Sequence, residues 1–251
     1  MKKLLFILVL GLVFLMGVTA TYAQVKNPDT FVLADIGSVE TLDPAKVYDN
    51  AGAAKLYTIY QNLIFFKDPY TDQFSPILAT QVPSVENGGI SADGKTYTFT
   101  IRKGVKFHEG GDLTPEDVVY SFKRAMISDP AGGPMWMMLE ALTGSDTTRQ
   151  DDKIDPDIFA KIDKAVEAKG DTVILHLPKA YPPLLGILCY SSAAVLDKEW
   201  AIANGCWDGN IANAAKYNKP AEGKEPLRAI ANGTGPYKLR LWETSKQFVF
   251  E

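Results

Sequence analysis

The sequence predicts an α/β protein, and three local patterns carry that expectation. Thr96 to Arg102 alternates Thr with Tyr97, Phe99 and Ile101, the period-two pattern of a half-buried strand. Thr114, Pro115 and Asp117 then open a helix with a variant capping box. Its apolar positions Val118, Val119, Phe122, Ala125 and Met126 return every three or four residues. Farther on, Ile158, Phe159, Ile162, Ala165 and Val166 form a second helical stripe, and Thr172 to Leu177 reads as another strand.

Taken in order, the chain opens on an export signal, residues 1–23. Lys2 and Lys3 give a basic start, Leu4 to Val18 is apolar or Gly, and Thr21 and Ala23 put small residues where a signal peptidase reads them. Cleavage is expected after Ala23, with Ala20 as the second choice. The apolar run is short for a bilayer span, and no cysteine follows it to carry a lipid, so the expected address is the periplasm.

Phe31 to Ile36 reads as a buried strand and Gly37 to Asn50 as a polar loop. From Ala53 a helix places Leu56, Ile59, Tyr60 and Leu63 on one face, and Pro69 to Gly94 is expected to be mostly turns. Lys103 and Gly104 turn the Thr96 strand into a short return strand through Val105 and Phe107. Gly170 ends the Ile158 helix, Pro178, Pro182 and Pro183 make a turn, and Asp197 caps a short helix through Asn204. A polar loop from Lys216 to Pro226 leads to Gly233-Thr234-Gly235-Pro236-Tyr237 and a strand from Tyr237 to Trp242. Gln247 to Glu251 reads as a strand with no turn or cap after it. Such an edge leaves backbone groups unpaired, so the chain is expected to be part of a longer protein.

Composition narrows the function. The chain is 46% hydrophobic and 11% aromatic, enough for a packed core. It carries 26 Lys and Arg against 30 Asp and Glu, and removing Lys2 and Lys3 makes it more acidic still. That balance offers no basic footprint for nucleic acid or an anionic membrane. Cys189 and Cys206 lie in no CxxC pattern. In an oxidising compartment they are expected to form one disulfide, worth about 3 kcal/mol in the chain-entropy account, the alternative being two separate buried thiols.

No phosphate loop, dinucleotide fingerprint, HExxH or GxSxG elbow is present. His108 and His176 have no partners at catalytic spacing and read as structural or surface residues. Glu116 and Asp117 read as first-turn charges that favour the helix dipole, and Asp151-Asp152 as a solvated turn. Nothing assembles nucleophile, base and oxyanion donor, so no enzyme, metal or cofactor is expected.

The run GVKFHEGGDLTPEDVVYSFKR, residues 104–124, resembles the signature of the family 5 extracellular solute-binding proteins. These are the dipeptide-, oligopeptide- and nickel-binding components of ABC importers. Leu42-Asp43-Pro44-Ala45, Tyr57 to Leu63 and Gly233-Thr234-Gly235-Pro236-Tyr237 agree with the family in order and spacing. The resemblance implies a type II periplasmic-binding-protein-like fold, in which two α/β lobes are joined by crossing strands. Residues 24–47 and 171–251 would build a discontinuous core of the first lobe, and residues 48–170 an inserted subdomain. The second lobe would be missing. The signature itself reads as scaffold.

The resemblance also implies a solute cleft. Gly37, Ser38, Val39, Glu40 and Thr41 would line it, with Tyr48 and Asn50 on the descending side. Trp136 matches a ligand-facing Trp of nickel-binding relatives. Tyr190, Ser191 and Ser192 would approach the cleft again, and Thr234 would offer a hydroxyl between Gly233 and Gly235. For each the plain alternative remains: a surface loop, an ordinary core cluster, or hinge geometry. The implied role is capture of a peptide or other small solute by a monomer that docks on permease subunits at the inner membrane. A nickel chelate, an opine or an oligosaccharide remains open as solute, as does a truncated product that binds nothing. A secreted hydrolase is the reading the residues support least.

Overall fold

The computed structural model describes residues 27–251, so the expected export signal at residues 1–23 lies outside the described residues. The chain divides into a unit ending at Asp35 and a unit from Ile36 to Glu251. In the first, the described residues contain a turn closed by the Thr30 amide on the Asn27 carbonyl, 3.1 Å. The strand expected at Phe31–Ile36 is not formed. Phe31, Val32, Leu33 and Ile36 are exposed and no ladder takes up their backbone groups. Apolar content alone does not make a strand without an edge to pair with.

In the second unit, helix α1 (Asn50–Ile59) begins three residues before the expected Ala53 because Asp49 caps it, its side chain accepting from the Gly52 amide at 2.7 Å. Leu56, Ile59, Tyr60 and Leu63 are all buried, as their spacing predicts. Strands β1 (Ile64–Phe66) and β2 (Phe74–Pro76) pair antiparallel with Phe66 opposite Phe74, and β2 falls inside the stretch from Pro69 to Gly94 expected to be mostly turns.

Strand β3 (Thr96–Thr100) buries Tyr97 and Phe99, the alternation its sequence carries. The expected return strand at Val105 and Phe107 is replaced by a single bridge between Lys106 and Asp112. Gly110 and Gly111 take positive φ, 96° and 88°, and curl the chain back before a ladder can grow. The partner of β3 comes from far along the chain: β7 (Thr172–His176) pairs with it antiparallel, setting Leu175 opposite Tyr97 and Val173 opposite Phe99. Strand β6 (Val166–Lys169) flanks β7 on the other side, giving the order β3-β7-β6.

Helix α2 (Pro115–Ser128) starts on the expected box, with the Thr114 amide donating to the Asp117 carboxylate at 2.8 Å. Helix α3 (Trp136–Thr143) and the short ladder of β4 (Arg149–Gln150) with β5 (Lys153–Ile154) follow. Helix α4 (Ile158–Ala165) stops at Ala165, not at Gly170. Val166 already belongs to β6, and Gly170, at φ 58°, makes the β6–β7 turn. Helix α5 (Leu184–Ile187) and helix α6 (Lys198–Ala203) complete the helices, Asp197 accepting from the Trp200 amide at 2.9 Å to cap α6. Strands β8 (Leu239–Glu243) and β9 (Gln247–Phe250) form a final antiparallel pair in which Trp242 stacks on Phe248.

The division expected at residues 170/171 falls in the β6–β7 turn, so one sheet holds residues from both sides of it. One apolar cluster likewise runs from Leu42 to Leu227. Across it, Arg124 of α2 makes a two-pronged ion pair with Asp43, both side chains almost wholly buried at 4% and 1% exposed. Burial alone would lower the Arg124 pKa, but the Asp43 carboxylate outweighs it and holds the guanidinium charged.

The expected disulfide is not present. Cys189 and Cys206 are separate buried thiols, and their surroundings differ. The Cys189 thiol donates to the Leu185 carbonyl at 3.3 Å, whereas Cys206 lies beside Arg124. Burial pushes both thiols up, Cys189 to about 12.

Candidate ligand-binding site

Helix α1 acts as a rail along which most of the expected site residues gather. At its start Tyr48 is 53% exposed and its hydroxyl accepts from the Trp136 indole N–H at 3.3 Å. Trp136, the first residue of α3, is itself 42% exposed. Two large aromatics left open to solvent and hydrogen-bonded to each other form an amphipathic wall: apolar ring surface with a polar edge. Asn50, exposed, is the first residue of α1 between them and the helix body.

The other end of α1 holds a second group. Tyr57 is 36% exposed, packs edge-on against Phe65 and donates its hydroxyl to the Cys189 carbonyl at 3.2 Å. Burial pushes its pKa up, partly offset by the hydrogen bond from the Ser191 amide. Tyr190 stands 46% exposed beside it, while Ser191 and Ser192 are buried in a 3-10 turn. Asn62 fixes that turn, its side-chain amide donating to the carbonyls of Leu188 at 2.8 Å and Tyr190 at 2.6 Å. Tyr57 and Asn62 were not among the residues expected from the sequence. Tyr57 had a readable signal, an aromatic on the helix face opposite the buried stripe; Asn62 had none, since its partners lie more than a hundred residues away.

The glycine segment also docks on this end of α1. The Gly235 amide donates to the Ile59 carbonyl at 2.7 Å and the Tyr237 amide to the Thr58 carbonyl at 3.2 Å. A Cβ on Gly233 would stand 2.1 Å from the Ile59 oxygen, and one on Gly235 2.5 Å from its carbonyl carbon, so close approach, not positive φ, demands both glycines. His108 clasps the segment from the other side. Its amide donates to the Gly233 carbonyl and its Nε2 bonds the Gly235 carbonyl, both at 2.9 Å. A carbonyl only accepts, so Nε2 carries the proton. Asn232, fully buried, adds a link between the Glu109 amide at 3.0 Å and the Asp197 carboxylate at 3.1 Å. Held between these partners, Thr234 keeps a hydroxyl that is closed off from solvent and has no hydrogen-bond partner among the described residues, so it is not presented to a cleft as expected.

The loop expected to line the cleft behaves differently. Gly37, Ser38 and Glu40 are exposed, and Val39 is half-buried against the apolar cluster. The Glu40 carbonyl accepts from the Arg228 side chain at 3.1 Å. Thr41 is buried, and its hydroxyl accepts from the Asp43 amide at 3.1 Å, which spends it on the turn ahead of the Asp43–Arg124 pair.

Among the described residues, Asp117, Asp197 and Glu199 bring ligand atoms within 4.8 Å of one another. The two aspartates are already committed: Asp117 accepts from Thr114 and the Lys198 amide, and Asp197 from the Trp200 amide and Asn232. They are helix caps. Burial raises the Asp117 pKa against those hydrogen bonds. No described helix is long and apolar enough to cross a membrane.

Comparison with known proteins fits this geometry. A dipeptide-binding protein of Escherichia coli K12 is 28% identical over 93% of this chain and 39% of its own length. A di/tripeptide-binding protein of Pseudomonas aeruginosa is 30% identical over the same shares. The periplasmic binding protein DppA of Helicobacter pylori, solved with the peptide STSA, aligns with TM-score 0.60 and 25% identity over 85% of this chain and 37% of that one. The chain thus spans about two fifths of the length of its relatives, and its fold matches part of a type II periplasmic binding protein. The family model described as bacterial extracellular solute-binding proteins, family 5 Middle, matches residues 73–251, and the chain belongs to that family.

Proposed function

We propose that this chain forms part of the periplasmic solute-binding component of an ABC importer, and that it takes a peptide-like solute against the face of α1. The observation that carries the reading is the pair of exposed aromatic groups on that helix, Tyr48 with Trp136 and Tyr57 with Tyr190. Open aromatic walls beside polar hydroxyls suit a solute with apolar side chains and a polar backbone. Relatives named for dipeptides and tripeptides support the same class. Ser38 and Glu40 would approach the solute from the loop, whereas Ser191 acts by positioning Tyr57.

On this reading residues 48–170 extend the first lobe, sharing its sheet, and the remaining length of the relatives corresponds to the part that closes over the solute. A solute touching both sides favours the closed form, and that form docks on the permease. The leader at residues 1–23 is removed on export, and the protein works as a monomer. Nothing in the site calls for bond-making chemistry. Native mass spectrometry of the protein isolated from its periplasm tests the reading. A co-purifying peptide supports it; a metal chelate, sugar or opine in its place would overturn the solute class, and turnover of that solute would overturn the role.

A further inference from the structure

A second concavity lies among residues that take no part in the α1 face. It encloses about 300 Å³, at the small end of the range for small-molecule sites, about 300–1,000 Å³. Its floor is buried: Arg124, Cys206 and Trp207, the last stacked on Tyr120 with ring centroids 5.7 Å apart. Ser128 and Tyr217 stand in the wall, and neither side-chain hydroxyl has a hydrogen-bond partner among the described residues. Lys216 and Lys224 complete the lining. Lys216 bonds the Asn213 side chain at 3.2 Å and lies close enough to Asp208 to help hold that carboxylate's pKa down, and Lys224 has no ion-pair partner among the described residues.

The charge balance of this lining is one-sided. No Asp or Glu lines the cavity, although acidic residues outnumber basic ones in the whole chain. The Arg124 charge is met by Asp43 and Lys216 lies near Asp208 outside the lining, so the lining itself holds cationic groups and no carboxylate. Cationic side chains together with hydroxyl donors on the wall are what a compact, multiply charged anion requires.

We propose that this cavity binds a small dianion carrying phosphate or carboxylate groups, at a site separate from the proposed solute face. The anion bridges Lys216 and Lys224 and takes hydrogen bonds from Ser128 and Tyr217. Lying against Arg124, it also bears on the ion pair that anchors Asp43, two residues from Thr41.

Calorimetric titration tests this with inorganic phosphate and, separately, succinate, each at ionic strength matched with sodium chloride. One-site binding of either probe is expected, and the stronger of the two identifies the preferred group. The double variant K216Q/K224Q should weaken that binding roughly tenfold or more, while K216R/K224R retains it. Both lysines are exposed, so the variants keep the fold. No heat beyond the chloride control, or equal binding by K216Q/K224Q, overturns the proposal. Because Tyr48 and Trp136 do not line the cavity, either result leaves the solute reading to its own test.

Discussion

Gly233–Tyr237 and Gly37–Thr41 share an expected role at the edge of one cleft, yet they are held in opposite ways. The first is gripped on both sides, by Ile59 and Thr58 carbonyls on α1 and by His108 on the signature loop. The second is exposed at Gly37, Ser38 and Glu40, with Arg228 holding the Glu40 carbonyl, and is buried at its far end, where Arg124 closes the ion pair with Asp43. A site built from both would pair a closely packed, hydrogen-bonded wall with a more exposed one. Substitutions should therefore be felt very unequally.

The largest effect is expected where the open loop is anchored. Arg124→Met leaves the Asp43 carboxylate buried without its partner and should cost about 3–5 kcal/mol in chemical denaturation. If the loss is under about 1 kcal/mol, Asp43 has another anchor and the contrast between the two walls weakens.

Next comes the closely packed wall itself. Gly233→Ala puts a methyl group 2.1 Å from the Ile59 oxygen, so either α1 or the segment must shift. A loss of about 3 kcal/mol is expected, in the range for overpacking. Ser38→Ala, on the open loop, should stay within about 0.5 kcal/mol. Equal effects at the two positions would erase the comparison.

His108 sharpens it further. His108→Ala strands the Gly235 carbonyl and should cost about 1–3 kcal/mol, whereas His108→Gln can still donate and should recover part of that loss. A Gln variant as unstable as the Ala variant would mean that ring packing, not the hydrogen bond, holds the segment.

The smallest effect concerns the thiols. Burial raises Cys189 from about 9 to about 12, so the unfolded chain gives up this proton first as pH rises. The contribution is complete below pH 9 and drains away between pH 9 and 12, which denaturation at pH 8 and pH 11 would register as lower stability at the higher value. Thiol labelling of the folded protein should find neither cysteine reactive, and labelling after unfolding should find both. A bridge detected by mass would restore the expected disulfide and contradict the separate thiols.

Local chemistry was the legible part of this fold. The Thr114 box, the Asp197 cap and the alternation of β3 all depend on neighbours in sequence, and each stands where its residues put it. What sequence could not supply was the identity of distant partners. The β3 pattern marks a strand without saying that β7, more than seventy residues on, will pair with it in place of Val105 and Phe107. Gly170 reads equally well as a helix stop or a hairpin turn, and only the pairing of β6 with β7 decides. Phe31–Ile36 has the composition of a strand but no ladder. The site followed the same rule. Trp136 and Tyr48 came from family likeness, and their contact emerges only when α3 meets the start of α1. Cys189 and Cys206 failed as a pair because each is held by its own surroundings.

The claim that the α1 face is where solute lodges is tested most directly by the fluorescence of Trp136, one of four tryptophans in the chain. Titrating the isolated protein with a mixture of dipeptides and tripeptides should change the tryptophan emission with saturation. Trp136→Phe should abolish that change and weaken calorimetric binding while leaving the melting temperature near that of the parent. A saturable signal that survives Trp136→Phe intact, with unaltered affinity, would place the solute elsewhere and contradict the account.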